Sequence, residues 1–164
     1  RVGYTPEQDC HIPGMVGCEY VTYCAQLCGL PFQAARQRAH EMLDFVGMGQ
    51  ERYRKIDTYS TGMRQRMKLA QAIVHDPDIL FLDEPTAGMS RKERTDISAL
   101  MRSLRSEGLT QLIVEHDVGM MVETCDYLYA MNFGSLIAEG TPPVVVRDAA
   151  VQEAYLGKHG RHDA

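Results

Sequence analysis

The sequence lacks long apolar runs, dense basic clusters and a secretion signal. No stretch approaches the roughly 20 apolar residues that a membrane-spanning helix needs, and no charged-then-apolar segment opens the chain. Its 164 residues carry 22 acidic and 17 basic side chains, a net charge of -5, which argues against a nucleic-acid surface. We therefore expect any role at a membrane to depend on partner proteins.

The cysteines show no spacing typical of a secreted disulfide scaffold. There are five of them: Cys10, Cys18, Cys24, Cys28 and Cys125. Reduced thiols in a cytosol are the simpler interpretation. A zinc site made by the first four and His11 is an alternative, since Cys24 and Cys28 lie one helical turn apart. These spacings match no closed zinc site, so we favour cysteines that pack as small apolar residues.

Hydrophobic periodicity predicts a helical segment in the first half of the chain. A short strand at residues 2–4 and a turn-rich loop come before it. Helical spacing begins near residue 19 and returns over residues 35–46, which predicts two helices. Ser60 is a plausible N-cap for a third. We expect a small helical subdomain over approximately residues 19–75.

The rest of the chain, approximately residues 76–164, alternates apolar runs with helical patterns. The continuous apolar run 79–82 predicts a strand buried on both faces of a parallel sheet. Ser90 and Glu93 have the spacing of a capping box and predict the start of the next helix. A second apolar run at residues 112–114 predicts the neighbouring strand, reached by a right-handed crossover.

Near the end, residues 127–131 and 136–139 flank the turn Asn-Phe-Gly and predict a β-hairpin. The whole pattern predicts a single α/β domain over residues 1–164 with a parallel sheet.

Polar side chains follow both buried strands. Asp83 and Glu84 end the first strand, and His116 lies just beyond the second. Ligands of open α/β sheets lie beyond the carboxyl ends of the strands, so these three residues are candidates to share one site. A solvated strand end is the plainer interpretation of the two carboxylates, but the four apolar residues before Asp83 favour a functional role.

Three segments resemble motifs of the ABC ATPases and occur in that family's order. Residues 80–86, Leu-Phe-Leu-Asp-Glu-Pro-Thr, resemble the Walker B segment. Residues 59–66, Tyr-Ser-Thr-Gly-Met-Arg-Gln-Arg, resemble the signature segment, and residues 114–117, Val-Glu-His-Asp, resemble the switch-histidine loop. The resemblance implies part of a P-loop NTPase-like core with a parallel sheet, a helical signature subdomain and a C-terminal β-hairpin.

The resemblance also implies ATP and Mg²⁺ as cofactors. It assigns Asp83 to Mg²⁺ through water, Glu84 to polarising the attacking water, and His116 to contacting the γ-phosphate. It assigns a further group to the ATP of an opposing subunit, bound at a helix N-terminus: Ser60, Thr61, Gly62, Met63 and Gln65. A plain helix cap beside a glycine is the alternative for this segment.

Two other segments match the family less closely. Residues 3–7, Gly-Tyr-Thr-Pro-Glu, resemble the loop in which the family has a glutamine that contacts Mg²⁺. Glu7 stands in register and Gln8 follows one position late, so either could coordinate the metal. Ser90 stands where the D-loop usually has aspartate, a departure in the loop that signals between subunits.

The phosphate-binding motif Gly-x-x-x-x-Gly-Lys-Ser/Thr does not occur in the sequence. We expect its segment to precede Arg1, so that the chain is an N-terminally truncated piece and inactive alone. Up to Thr86 the chain resembles ATPases of ABC-2 type exporters. From Ala87 onward, including residues 137–142 and 153–157, it resembles ATPase subunits of branched-chain amino-acid importers.

The expected function is that of the ATP-hydrolysing subunit of an ABC transporter. The resemblance implies a second nucleotide-binding domain and transmembrane permease subunits as partners, no nucleic acid, and a cytoplasmic location on the inner face of the cell membrane. An ABC ATPase of DNA repair is one alternative, which would require a coiled-coil insertion or a basic surface. A non-catalytic interaction fragment is the other, supported by the missing phosphate loop.

Overall fold

The computed structural model describes residues 1–156, and the chain forms two compact units, Arg1–Glu115 and His116–Ala164. The first unit contains β1 (Val2–Thr5), α1 (Gly17–Leu27), α2 (Phe32–Phe45), α3 (Thr61–Ile73), β2 (Ile79–Asp83), α4 (Arg91–Ser106) and β3 (Thr110–Val114), with 3-10 turns at Gly49–Tyr53 and Ile56–Thr58. The second contains α5 (Val118–Thr124), β4 (Leu128–Asn132), β5 (Ser135–Gly140), α6 (Pro142–Val145), α7 (Ala149–Val151) and a π-helical turn at Gln152–Leu156.

The strands of the first unit form a parallel sheet in the order β1-β2-β3. Tyr4 of β1 pairs with Phe81 of β2, which pairs with Leu112 of β3. Three helices connect β1 to β2 and one connects β2 to β3, as parallel strands require. The predicted α/β class and parallel sheet are confirmed.

The sheet is buried on one face only. Leu80 and Leu82 of β2 are at most 2% exposed, whereas Ile79 and Phe81 are 39% and 38% exposed. The same face carries exposed apolar residues from the two neighbouring strands: Val2, Tyr4, Leu112 and Val114. The prediction that the 79–82 strand is buried on both faces is therefore wrong, because no element of the first unit covers this second face.

Helices α3 and α4 begin where local capping chemistry predicts. Ser60 caps α3, since its Oγ accepts a hydrogen bond from the Met63 amide at 3.2 Å. Ser90 caps α4 in a complete capping box with Glu93. The first three helices pack through small and apolar residues that are at most 1% exposed: Val21, Ala25, Ala35, Ala39, Leu43, Met67 and Ala70.

The second unit is built around the predicted hairpin, which is confirmed. Strands β4 and β5 are antiparallel. Phe133 and Gly134 at their turn have φ values of 46° and 78°, the left-handed conformation that tight hairpin turns use. Its core consists of Leu128, Val145 and Val151. Gly157, which ends the importer-like segment 153–157, lies outside the described residues.

Among residues 1–156, none of the helices has both the length and the apolar character that crossing a membrane requires.

Candidate functional site

The carboxyl end of β2 carries two carboxylates of the predicted site, Asp83 for Mg²⁺ and Glu84 for catalysis. Asp83 is the last residue of β2 and Glu84 follows it, both half-buried. Glu84 has a φ of 44°, and its amide donates to the Val114 carbonyl of β3 at 2.9 Å. A left-handed backbone costs a residue with a Cβ about 1 to 2 kcal/mol. The hydrogen bond to β3 therefore helps to hold Glu84 in a strained turn at the edge of the sheet.

A side-chain contact links the turn after Glu84 to the end of β3. The Thr86 hydroxyl donates to Glu115 Oε2 at 2.7 Å, and the Thr86 amide lies 3.4 Å from the same oxygen. Thr86 is only 4% exposed, so this hydrogen bond is shielded from water. Sequence reasoning missed this pair. Its only signal is that Glu115, like Asp83, is a carboxylate at the end of an apolar strand.

The loop after β1 reaches the same edge of the sheet. Because Thr5 of β1 pairs with Leu82 of β2 in parallel register, residues 6–8 continue beyond the sheet beside Asp83. The side chains of Glu7 and Gln8 are both exposed there. Glu7 and Gln8 thus follow β1 at this edge of the sheet, and their approach to a metal at Asp83 stays a prediction.

The predicted Mg²⁺ ligands fit this ion in chemistry. Mg²⁺ in phosphate-binding sites takes one or two protein oxygens and completes its shell with water and phosphate. Asp83 at the end of β2 and the side-chain oxygens of Glu7 and Gln8 at the end of β1 are hard ligands of this kind.

His116 directly follows Glu115 in the chain and is the first residue of the second unit. Its convergence with Asp83 and Glu84 stays a prediction.

The start of α3 combines exposed and buried signature residues. Ser60 and Thr61 are exposed, and Met63 is half-buried. Gln65 is 7% exposed, and its side-chain amide lies 3.5 Å from the Ala87 carbonyl, so it packs against the loop after β2. Of the predicted nucleotide-contacting residues, Gln65 is therefore placed towards the interior of its own unit, while Ser60 and Thr61 face outward.

Gly62 is enclosed by the capping box of α4. A Cβ on Gly62 would lie 2.3 Å from Glu93 Oε1. The other oxygen of Glu93 accepts from the Ser90 amide at 2.9 Å and from the Ser90 hydroxyl at 2.7 Å. These hydrogen bonds lower the pKa of the Glu93 carboxyl and favour its charged form. Ser90 thus acts as a helix cap that holds a carboxylate beside the signature segment.

The zinc alternative finds no support in residues 1–156. All five cysteines are free thiols, and no group of three or more His, Cys, Asp or Glu side chains within this range is arranged to hold a metal ion. Burial raises the pKa of the Cys24 thiol to about 11, so it is protonated at neutral pH. The Cys10 sulfur lies 3.8 Å from the Tyr20 hydroxyl, the distance of a weak hydrogen bond to sulfur.

Residues 1–87 match the family model of the ABC transporter. The chain belongs to the ATP-binding proteins of the ABC transporter family. Residues 135–161 also match the family model of the branched-chain amino acid ATP-binding cassette transporter, within the segment that resembles importer subunits. The family predicted from the sequence motifs is confirmed.

The chain is similar to curated ATP-binding proteins of this family. It is 36% identical over 141 residues to the daunorubicin/doxorubicin resistance ATP-binding protein DrrA of Streptomyces peucetius, covering 86% of this chain and 43% of that protein. It is 35% identical over 125 residues to the high-affinity branched-chain amino acid transport ATP-binding protein BraF of Pseudomonas aeruginosa, covering 76% of this chain and 49% of that protein. The chain thus spans less than half the length of these relatives.

A solved structure shows the same fold. The dimeric post-hydrolysis state of the ATP-binding cassette MJ0796, bound to ADP and Pi, superposes with a TM-score of 0.77 at 23% identity, covering 87% of this chain and 63% of that one. The predicted ABC ATPase core fold is confirmed.

Proposed function

We propose that this chain supplies the hydrolytic part of an ABC transporter subunit that binds ATP, hydrolyses it and couples the reaction to transmembrane transport. The observation that carries this proposal is the restrained edge at Asp83 and Glu84, in a chain that belongs to the family. In the proposed function, residues 1–164 form one ABC ATPase domain fragment. Its helical signature part covers approximately residues 19–75, and its catalytic part covers approximately residues 76–164.

Each carboxylate has a separate task in the proposed reaction. Asp83 binds Mg²⁺ through water, and Glu7 or Gln8 adds an oxygen from the neighbouring loop. Glu84 accepts a proton from the water that attacks the terminal phosphate, while His116 contacts that phosphate. Mg²⁺, when bound, neutralises charge on the phosphates. The backbone restraint at Glu84 reduces the conformational freedom of its carboxylate.

The signature segment serves a different nucleotide. The exposed N-terminus of the 13-residue helix α3 presents Ser60 and Thr61, where helix amides and the helix dipole favour an anion. We propose that this anion belongs to ATP on a second nucleotide-binding domain. The dimer bound to ADP and Pi in the MJ0796 structure supports this arrangement.

Transport requires further partners. We propose transmembrane permease subunits that hold the ATPase at the inner, cytoplasmic face of the cell membrane, in line with the transport and resistance roles in the names of the relatives. Residues 1–164 contain no phosphate-binding loop, so we propose that they do not hydrolyse ATP alone.

Substitution of Glu84 by Gln tests the catalytic assignment. In a version extended upstream by a phosphate-binding segment, Glu84→Gln should retain ATP binding measured by calorimetry. Its Mg²⁺-dependent phosphate release should fall at least about a hundredfold, because an amide cannot serve as a base. Glu107→Gln, a change of the same kind at an exposed position at the end of α4, is the control. Wild-type turnover in Glu84→Gln would remove Glu84 from the mechanism.

A further inference from the structure

Lys68 is a buried cation inside the signature helix. It lies in α3 and is only 2% exposed. Its ammonium donates to the Pro6 carbonyl at 2.8 Å and to the Glu7 carbonyl at 2.9 Å. One side chain thus joins α3 to the loop that carries the candidate metal ligands, 61 residues away in the chain.

Two further side chains on the same face of α3 make similar contacts. Arg64 and Gln71 lie four residues before and three residues after Lys68, which places all three on one side of the helix. Arg64 Nε lies 3.1 Å from Asp9 Oδ2, and the Gln71 side-chain amide donates to the Tyr4 carbonyl at 3.0 Å. This polar stripe follows β1 and its loop from Tyr4 to Asp9.

Burying the ammonium of Lys68 costs desolvation energy, which favourable interactions must offset. Burial lowers the pKa of its ammonium, while the acidic groups of Asp9, Cys10, Asp83 and Glu7 act in the opposite direction. An apolar side chain of similar length could fill the same space without losing hydration energy. The position therefore favours a cation that both anchors backbone carbonyls and faces carboxylates at the edge of the sheet.

We propose that Lys68 is a positioning residue that fixes the loop of residues 6–8 to the signature helix and thereby holds Glu7 and Gln8 beside Asp83. The metal part of this proposal rests on the proposed ATPase function; the anchoring part does not. The loop that reaches the metal and the helix that reaches the opposing nucleotide are then mechanically joined through one ammonium group.

The first test measures the loop itself in residues 1–164. Lys68→Met keeps the length of the side chain and removes the donor, and Lys92→Met makes the same change at an exposed position of α4 as the control. Hydrogen exchange of the amides of residues 7–10 should become about tenfold faster in Lys68→Met and stay unchanged in Lys92→Met. Lys68→Arg, which keeps a charged donor, should restore most of the protection.

Unchanged exchange of residues 7–10 in Lys68→Met would overturn the proposal. So would faster exchange spread evenly over the first unit, since that result means general destabilisation. If Lys68→Met does not fold, Lys68→Gln replaces the ammonium with a shorter, neutral donor and is compared with wild type in the same way. Exchange of residues 7–10 that is unchanged or slower in Lys68→Gln would equally refute the anchoring role.

The second test measures the metal requirement in the version extended with a phosphate-binding segment. Lys68→Met should raise the Mg²⁺ concentration for half-maximal phosphate release about tenfold, with kcat largely preserved at saturating Mg²⁺. If Lys68 only fills space in the core, Lys68→Met should lower the rate of phosphate release equally at all Mg²⁺ concentrations. That outcome would overturn the proposal that Lys68 positions the metal ligands. If no variant or wild type hydrolyses ATP, the proposed function fails, while the exchange measurement still decides the anchoring part.

Discussion

Replacing Gly62 by Ala tests whether the signature glycine is required by packing within the chain. The new methyl group would meet Glu93 Oε1 at 2.3 Å and its carboxyl carbon at 2.9 Å. Because the neighbour is the end of a flexible side chain, Glu93 can rotate away. That rotation breaks its hydrogen bonds to Ser90 and with them the capping box of α4.

The magnitude follows from two opposing effects. Loss of the capping interaction costs about 1 kcal/mol. Alanine gains up to about 1 kcal/mol over glycine in a helix, and less in the first turn, where Gly62 lies. In wild type the two effects nearly cancel or leave a small loss of stability. In a Glu93→Ala background, where the box is already absent, only the gain remains, so Gly62→Ala should be stabilising there.

A double-mutant cycle measured by urea unfolding isolates the coupling. We expect Gly62→Ala to be at least about 1 kcal/mol more favourable in the Glu93→Ala background than in wild type. Additivity within about 0.3 kcal/mol would refute the packing explanation. The glycine would then be required only by an approaching ligand.

Two further predictions concern stability. Thr86→Val should lower the free energy of unfolding by about 1 to 2 kcal/mol in a urea titration, because Glu115 loses a shielded hydrogen bond. Thr95→Val makes the same change at an exposed site of α4 and should have little effect. Equal losses in the two variants would contradict the role of the Thr86–Glu115 hydrogen bond. Burial raises the pKa of Cys24 from 9.0 to about 11. The contribution of the protonated thiol to the free energy of unfolding is therefore complete below pH 9 and is lost as the pH rises towards 11. In urea titrations, raising the pH from 8 to 10.5 should lower the free energy of unfolding by about 1 kcal/mol more in wild type than in Cys24→Ala. A smaller loss remains in the variant, because burial also raises the pKa values of Cys18 and Tyr20. An identical loss in both proteins would exclude Cys24 as a cause.

Features encoded by neighbouring residues were predictable from the sequence. The helix starts at Ser60 and Ser90 depend on side chains that bond amides three residues away, so their chemistry is visible in a short segment. The apolar run before Asp83 predicted a strand, and β2 occupies residues 79 to 83. The exposed face of that strand was not predictable, because an unbroken apolar run does not show whether a second layer covers it.

Long-range contacts explain what the sequence did not reveal about the site. Thr86 meets Glu115 across 29 positions, and Lys68 meets Glu7 across 61. Neither pair has a fixed spacing that a pattern could detect. Lys68 carries one sequence signal, a cation between the apolar residues Met67 and Leu69 in the middle of a helix, and that signal alone is equally typical of a solvated helix face.

The contacts around the sheet edge together explain how a strained residue is held in place. The left-handed backbone of Glu84 costs about 1 to 2 kcal/mol. Its amide is bound to β3 on one side, the following turn is bound to Glu115, and the loop from β1 is bound to Lys68 on the other side. All of these contacts are made by the protein's own residues, so they help to offset this cost during folding. In the proposed reaction, the carboxylate of Glu84 is therefore held near its working position by contacts within the protein.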